Sequence, residues 1–543
     1  MQFKQCILFY TGYFGFVTGR LAYANNQVNV TKDNDKVAAN FPSLPELHLF
    51  SPSFARPETV PANFSNGTSG PTDESTLDSF LRDLASRNKW MTYRNPTFQS
   101  EEGRSLPYVL LSSSSAPMSP QAGTNMTKNK VRIWMQGGVH GNEPAGDQAI
   151  LALLGKMDAD PNWASSILEK VDILMLPRYN PDGVAYFQRY FATSLDPNRD
   201  HTKLASKQTA DIKHLVMDYA PHVGVDCHEY TATRRYGANQ QWLPAQDAQF
   251  SAMKNLNIHP RIRALSETLF SNNIAAALEE HDLRWGPYVV ANQGSDNITL
   301  EETSSDAKVG DSSVALSQAI MFLSETRGIG IADQHWQRRV STGLIILQTL
   351  VQTAADNAQF VYETVEHARS EFIHGREEIV ITDTARPTKL DWKFIEEASG
   401  TAVDVPVTFM NTTSLKANLT RSRPEAYVFS RAWLDVALKL KVLGVVVEEL
   451  HGGFEGTVQA LNVVSAELSP AKYEGVARTT VTTQAREKSL TLPAGSFWVS
   501  SRQKNAALAF SVLEPENIDS FASFNILPVE IGDEYQVYRV LQE

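Results

Sequence analysis

Cysteine is almost missing from this chain: Cys6 and Cys227 are the only two among 543 residues. Cys6 lies in an N-terminal segment with the form of a removable signal, so the remainder would hold a single thiol. That excludes an intrachain disulfide framework and a metal site built on several thiolates. Long apolar runs are missing too, and no internal stretch reaches membrane-spanning length once that segment is removed. Positive charge is in deficit, with 49 Lys and Arg against 61 Asp and Glu. The formal net charge of −12, with no long basic cluster, argues against a nucleic-acid partner. What is present is 42% hydrophobic and 20% charged residues, the composition of a folded protein with enough chain for two globular units.

Lys4, the mostly apolar "CILFYTGYFGFVTG" and the small residues around Ala22 to Ala24 predict a signal peptide over residues 1–24 and hence a secreted protein, periplasmic if the source is bacterial. Residues 25–75 are rich in Asn, Ser, Pro and Thr without a stable period, which predicts a disordered polar leader. The N-x-S/T sequons at Asn63, Asn66, Asn125 and Asn297 do not decide whether the source glycosylates.

From "STLDSFLRDLASRN" onward Leu77, Phe80, Leu81 and Leu84 share a helical face. "DQAILALLGKM" (147–157) and "SSVALSQAIMFLSE" (312–325) read as helices alternating with strand-like runs, so residues 76–365 are expected to form an α/β unit with a mixed central sheet. Beyond it, "YEGVARTTVTTQ", "KSLTLPAGSFWVS" and "ALAFSVLEP" predict a smaller, mostly β domain over residues 366–543, with "RAWLDVALKLKVLG" as a helix.

The chemistry concentrates in two stretches, "VRIWMQGGVHGNEPAG" (131–146) and "VGVDCHEY" (223–230). His140 and Glu143, joined by the distant His228, make the set of three protein ligands with which a catalytic zinc keeps a fourth position for water. An H-x-x-E pair by itself arises by accident in a chain with 12 histidines, and His374 with Glu377, among charged residues in "FIHGREEIV", is such a case. His140 differs in context, because an apolar run ending in paired glycines reads as a buried strand stopping in a tight turn. In "VGVDCHEY" a strand reading sets Asp226 and His228 on one face and Cys227 on the other, as a small buried residue.

Between these stretches lies "RYNPDGVAYFQRYFATSLDPNRDH" (178–201), and with it the chain resembles the zinc carboxypeptidase family, the carboxypeptidase A-like metallopeptidases. The blocks that carry the resemblance are His140 to Glu143, the "NPDG" turn at Asn180 to Gly183, Arg189, the D-x-N-R element at Asp196 to Arg199, Asp226-x-His228, and E-x-R at Glu325 to Arg327. It covers roughly residues 76–350 and implies the family's mixed sheet flanked by helices. It further implies one Zn2+ per chain held by His140, Glu143 and His228, with Asp196 accepting the other ring N–H of His140. Glu325 becomes the general base and Arg189 the cation facing the developing oxyanion. Asn198 and Arg199 would grip the free C-terminal carboxylate of a peptide or protein substrate.

The chain departs from the family in lacking a tyrosine between Tyr288 and Glu325, so Tyr288 is an imperfect substitute for the family's mobile substrate-binding tyrosine. Asp306 or Asp311 could select a basic C-terminal side chain. Two other readings stay open: a zinc amidohydrolase acting on cell-wall peptides or N-acyl amino acids, and a non-catalytic zinc-containing binding protein. Glu325 argues against the second, since binding alone needs no general base.

Overall fold

The computed structural model describes residues 23–113, 130–291, 297–302 and 305–541. The predicted signal segment, apart from its last two positions, and most of the 112–130 loop with Asn125 lie outside the described residues.

Eight strands form the central sheet, in the spatial order Met91–Arg94, Tyr108–Leu111, Val171–Leu176, Val131–Gly137, Val223–Thr231, Ile320–Ile329, Ala248–Ala252 and Trp285–Gly286. The middle four run parallel, and antiparallel pairings continue the sheet on both sides. Val171–Leu176 and Ile320–Ile329 are buried along their whole length, as strands covered on both faces must be. Helices Pro144–Ala159 and Trp336–Asp356 pack on each other and on the strands Val131–Gly137, Val223–Thr231 and Ile320–Ile329. From Val131–Gly137 the chain first crosses to Val171–Leu176 on one side and later to Val223–Thr231 on the other. The loops leaving the carboxyl ends of Val131–Gly137 and Val223–Thr231 therefore diverge, and a crevice opens where the strand order switches direction.

Three expectations change. The run around "AIMFLS" is not helical beyond Gly310–Ala315: Glu325 sits inside the strand Ile320–Ile329, paired on both edges. "ALAFSVLEP" contains not a strand but the helix Ala506–Leu513, whose residues are all buried, so it shows no polar face to reveal its period. The leader is ordered. Short helices Asp35–Ala38 and Pro52–Ala55 occur in it, and Val37, Phe41, Leu44, Leu49 and Phe64 are buried. Each apolar side chain of that size removed from water contributes roughly 1.5–3 kcal/mol, enough to help offset the ordering of a polar segment. Asp33 adds a buried anchor, meeting Arg327 at 2.6 and 2.9 Å and His335 at 3.1 Å.

The expected boundary at residue 365 falls inside the helix Ala358–His374. The hairpin that follows, Ile379–Glu396 with Ala402–Arg421, joins Trp242–Pro244 on one side and Thr299–Glu302 with Val289–Ala291 on the other in one five-stranded sheet. The C-terminal region thus buttresses strands of the α/β unit before it forms its own six-stranded sheet.

Candidate active site

The strand Val131–Gly137 ends at Gly138, whose φ of 59° lies in the left-handed region that a glycine adopts without a side-chain clash. The reversal delivers His140 and then Glu143, which immediately precedes Pro144 at the start of a helix. The neighbouring turn is tied to this loop by the N–H groups of Tyr179 and Asn180, which donate to the carbonyls of Gly137 and Gly138. His228 arrives from the adjoining strand. His140 Nδ1 lies 2.8 Å from Glu143 Oε1, while His228 Nδ1 lies 2.9 Å from Glu143 Oε2 and 3.1 Å from His140 Nδ1. The three ligand atoms fall within 4.8 Å of one another, and all three residues are buried. Two ring nitrogens and a carboxylate converging in this way form a cluster of lone pairs suited to a cation, and mixed nitrogen and oxygen donors are those that zinc accepts.

The outward nitrogens are held as well. His140 Nε2 lies 3.0 Å from Asp196 Oδ1, and Asp196 Oδ2 accepts from Arg189 at 2.8 Å. His228 Nε2 has Asp226 Oδ2 at 3.2 Å and Asn198 Nδ2 at 3.4 Å. Asn198 Oδ1 accepts the Gly310 N–H at 2.7 Å, which fixes the amide with its Nδ2 toward the ring, while neither oxygen of Asp226 has a hydrogen-bond partner among the described residues. The Asp196 carboxylate behind His140 leaves that ring's inward Nδ1 free to bind metal, and the Asp226 charge lies beside His228 Nε2. Arg189 also reaches Glu143 Oε1 at 3.2 Å. Burial works against the charge of Asp196, but Arg189 and His140 overcome it and hold that carboxyl well below the usual range.

A cleft of about 480 Å³ opens over this cluster, with Arg189, Asn198, Arg199, Tyr288 and Glu325 on its walls. Glu325 is 6% exposed, and its Oε2 has no hydrogen-bond partner among the described residues. Burial pushes the Glu325 carboxyl well above the usual carboxylate range, His228 pulls it down, and the Glu143 charge raises it further. A carboxyl so placed is suited to exchanging a proton with a group in the cleft. Arg199 donates through Nη1 to the Asn198 carbonyl at 2.7 Å, which braces the guanidinium on the wall. Tyr288 is half-buried there, and burial together with the Glu325 charge raises its hydroxyl pKa.

Other predicted residues fall elsewhere. His374 is exposed and bonded to the Ser370 carbonyl, and Glu377 is exposed. Cys227 is buried beside Gly146, on the opposite face from the ligands. Asp306 pairs with Lys308 and Asp311 is buried; neither lines the cleft, whose acidic wall residues besides Glu143, Glu229 and Glu325 are Glu301 and Glu302. Sequence reasoning missed Glu229. It accepts from the Ala145 N–H at the start of the helix Pro144–Ala159 and pairs with Arg339 at 2.8 and 2.9 Å, so it braces the element that follows Glu143. Its position next to His228 was the available signal.

Residues 77–377 match the family model for zinc carboxypeptidases, Peptidase_M14. The chain is 49% identical over 521 residues to carboxypeptidase 2 of Trichophyton tonsurans, with 96% of each chain covered. It is 48% identical over 521 residues to carboxypeptidase 2 of Trichophyton rubrum, again with 96% of each covered. Among solved structures, a metallo-carboxypeptidase from Pseudomonas aeruginosa aligns with a TM-score of 0.39 and 16% identity, over 53% of this chain and 70% of that one.

Proposed function

The chain belongs to the zinc carboxypeptidase family of hydrolases, and on that footing we propose that it removes residues from the free C-terminus of peptides outside the cell. One observation supports the reading above all: the buried His140, Glu143 and His228 cluster shares a single cleft with Glu325, Arg189, Asn198 and Arg199.

His140, Glu143 and His228 would hold one zinc ion, which when bound acidifies water and polarises the carbonyl to be cleaved. Asp196 keeps His140 in the tautomer with a free Nδ1, and the Asp226 charge beside His228 Nε2 favours the same tautomer there. Glu325 takes the proton of the attacking water at its carboxylate and returns it to the leaving amine. Arg189 faces the oxygen on which negative charge develops. Asn198 and Arg199 hold the substrate's terminal carboxylate, the guanidinium fork matching two oxygens, and Tyr288 closes on the same end. The N-terminal segment 1–24 supports export.

The test is to incubate zinc-loaded protein with a peptide library carrying free or amidated C-termini and to follow products by mass spectrometry. Stepwise loss of C-terminal residues from the free-acid set is expected, with only weak cleavage of the amidated set. Cleavage of both sets alike would remove the carboxylate grip from the reading, and cleavage of neither would favour the amidohydrolase alternative.

A further inference from the structure

Strands Phe454–Tyr473 and Val476–Leu492 form a long antiparallel hairpin in the C-terminal region, and its turn at Glu474 and Gly475 reaches the active site. Glu474 Oε2 accepts the backbone N–H of Asp196 at 2.7 Å, a contact between residues 278 positions apart. Asp196 begins the turn that carries Asn198 and Arg199, and its side chain holds His140 and Arg189. The backbone origin of that turn is therefore tied to the C-terminal hairpin.

The tip is itself pinned. Tyr473 is half-buried, with the Arg478 guanidinium 4.4 Å from its ring centre and Lys308 Nζ at 5.9 Å. Lys308 in turn pairs with Asp519 at 3.1 Å. Tyr473, Lys308 and Arg478 line a chamber of about 250 Å³ that shares Arg199 and Val309 with the catalytic cleft. Glu474 approaches Asp196 despite their like charge, with Lys203 and Arg199 as the cations that offset it. A charge-assisted bond to a backbone N–H is about twice as strong as a neutral one, which suits holding a turn in register.

We propose that Glu474 is a positioning residue of the active site, through which the C-terminal hairpin holds the Asp196 turn against the metal ligands and the carboxylate grip. The inference rests on the roles given above to Asp196, Asn198 and Arg199.

The test compares Glu474→Ala, Glu474→Gln and Glu474→Asp in the full chain, with Lys472→Ala as an exposed control on the same hairpin. Zinc affinity is measured by competition with a chromophoric chelator, and kcat and KM on a free-acid peptide. Glu474→Ala should weaken zinc binding and raise KM by up to about 10-fold each, no more than the low end of the loss for a direct partner of a metal ligand, since Glu474 acts one bond further out through Asp196. Glu474→Gln, whose neutral amide oxygen still accepts the Asp196 N–H but more weakly, should fall between Glu474→Ala and the parent, and Lys472→Ala should match the parent. Zinc affinity and KM unchanged in Glu474→Ala, with only a lower melting temperature, would overturn the proposal, as would an equal loss in Lys472→Ala. If Glu474→Ala does not fold, Glu474→Asp decides, since it keeps the charge and withdraws the acceptor. A parent protein that binds zinc but leaves peptides intact would count against the carboxypeptidase reading, and the zinc affinities would still decide the role of Glu474.

Discussion

Glu325 and His228 are register partners on neighbouring parallel strands, Ile320–Ile329 and Val223–Thr231. Their side chains leave the sheet on the same face, and each is fixed by its own ladder of backbone bonds, so one can be changed without moving the other. Glu325→Gln keeps the shape and removes the base. Turnover of a free-acid peptide should fall by about 10²–10⁴-fold, while metal analysis still finds one zinc per chain. Undiminished kcat would take Glu325 out of the chemistry.

His228→Ala should behave in the opposite way. It removes one of the three converging ligand atoms and leaves Glu143 and His140 in place. Zinc content after dialysis should fall well below one per chain, with activity falling in parallel. A variant that stays fully loaded would mean that the ligand assignment is wrong.

Arg199→Lys replaces a planar fork with a point charge. Loss of one charge-assisted bond to the terminal carboxylate should raise KM for a free-acid peptide by about 10-fold or more. The same change should leave weak cleavage of an amidated peptide unaltered, so the ratio of kcat/KM values for the two substrates is the quantity to measure. If both fall together, Arg199 supports the cleft without recognising the carboxylate.

The leader is predicted to confer an acid-sensitive part of the stability. Burial raises the Asp33 carboxyl, but hydrogen bonds from His335 and Arg327 outweigh it and bring the pKa down to about 2 from 3.8. A lowered pKa means the stabilisation is fully present above pH about 4 and is lost as pH falls toward about 2, a difference on the order of 2 kcal/mol. Urea unfolding midpoints of the parent should therefore drop faster below pH about 4 than those of Asp33→Asn, which has no charge there to lose. Parallel curves would show that the anchor contributes nothing through its charge.

The cluster of His140, Glu143 and His228 was legible because each histidine follows an apolar run, His140 beyond the turn at Gly138 and His228 inside the strand Val223–Thr231, three residues before its end. Glu325 was singled out by its motif, but its strand was not read, because a strand buried on both faces reads as an unbroken apolar run that a helix can equally explain. Ala506–Leu513 was misread for the same reason. The leader looked disordered because Phe41 and Phe64 are isolated among polar residues, and their burial depends on partners distant in sequence, as does the pairing of Asp33 with Arg327. Glu474 had no local signature, since its meaning lies in one contact across most of the catalytic unit.

Between the ligands His140 and Glu143, Gly141 packs directly on the backbone of Gly183, the last residue of the "NPDG" turn. A Cβ at Gly141 would stand 1.9 Å from the Gly183 carbonyl carbon, with the Gly183 oxygen at 2.2 Å and the Val184 nitrogen at 2.3 Å. All three are backbone atoms, in a turn tied down by Asn180 Oδ1 accepting the Gly183 N–H at 2.9 Å, so no flexible side chain can swing away. Gly141→Ala must therefore push the ligand loop and the turn apart. The overpacking should cost about 1–3 kcal/mol of stability, and it should displace His140 from Glu143. Chelator competition should show zinc affinity lowered by more than in Gly183-distant controls such as Gly452→Ala, where an added Cβ meets nothing within 4 Å. If Gly141→Ala binds zinc as tightly as the parent and melts at the same temperature, the loop has room that this close backbone contact denies it.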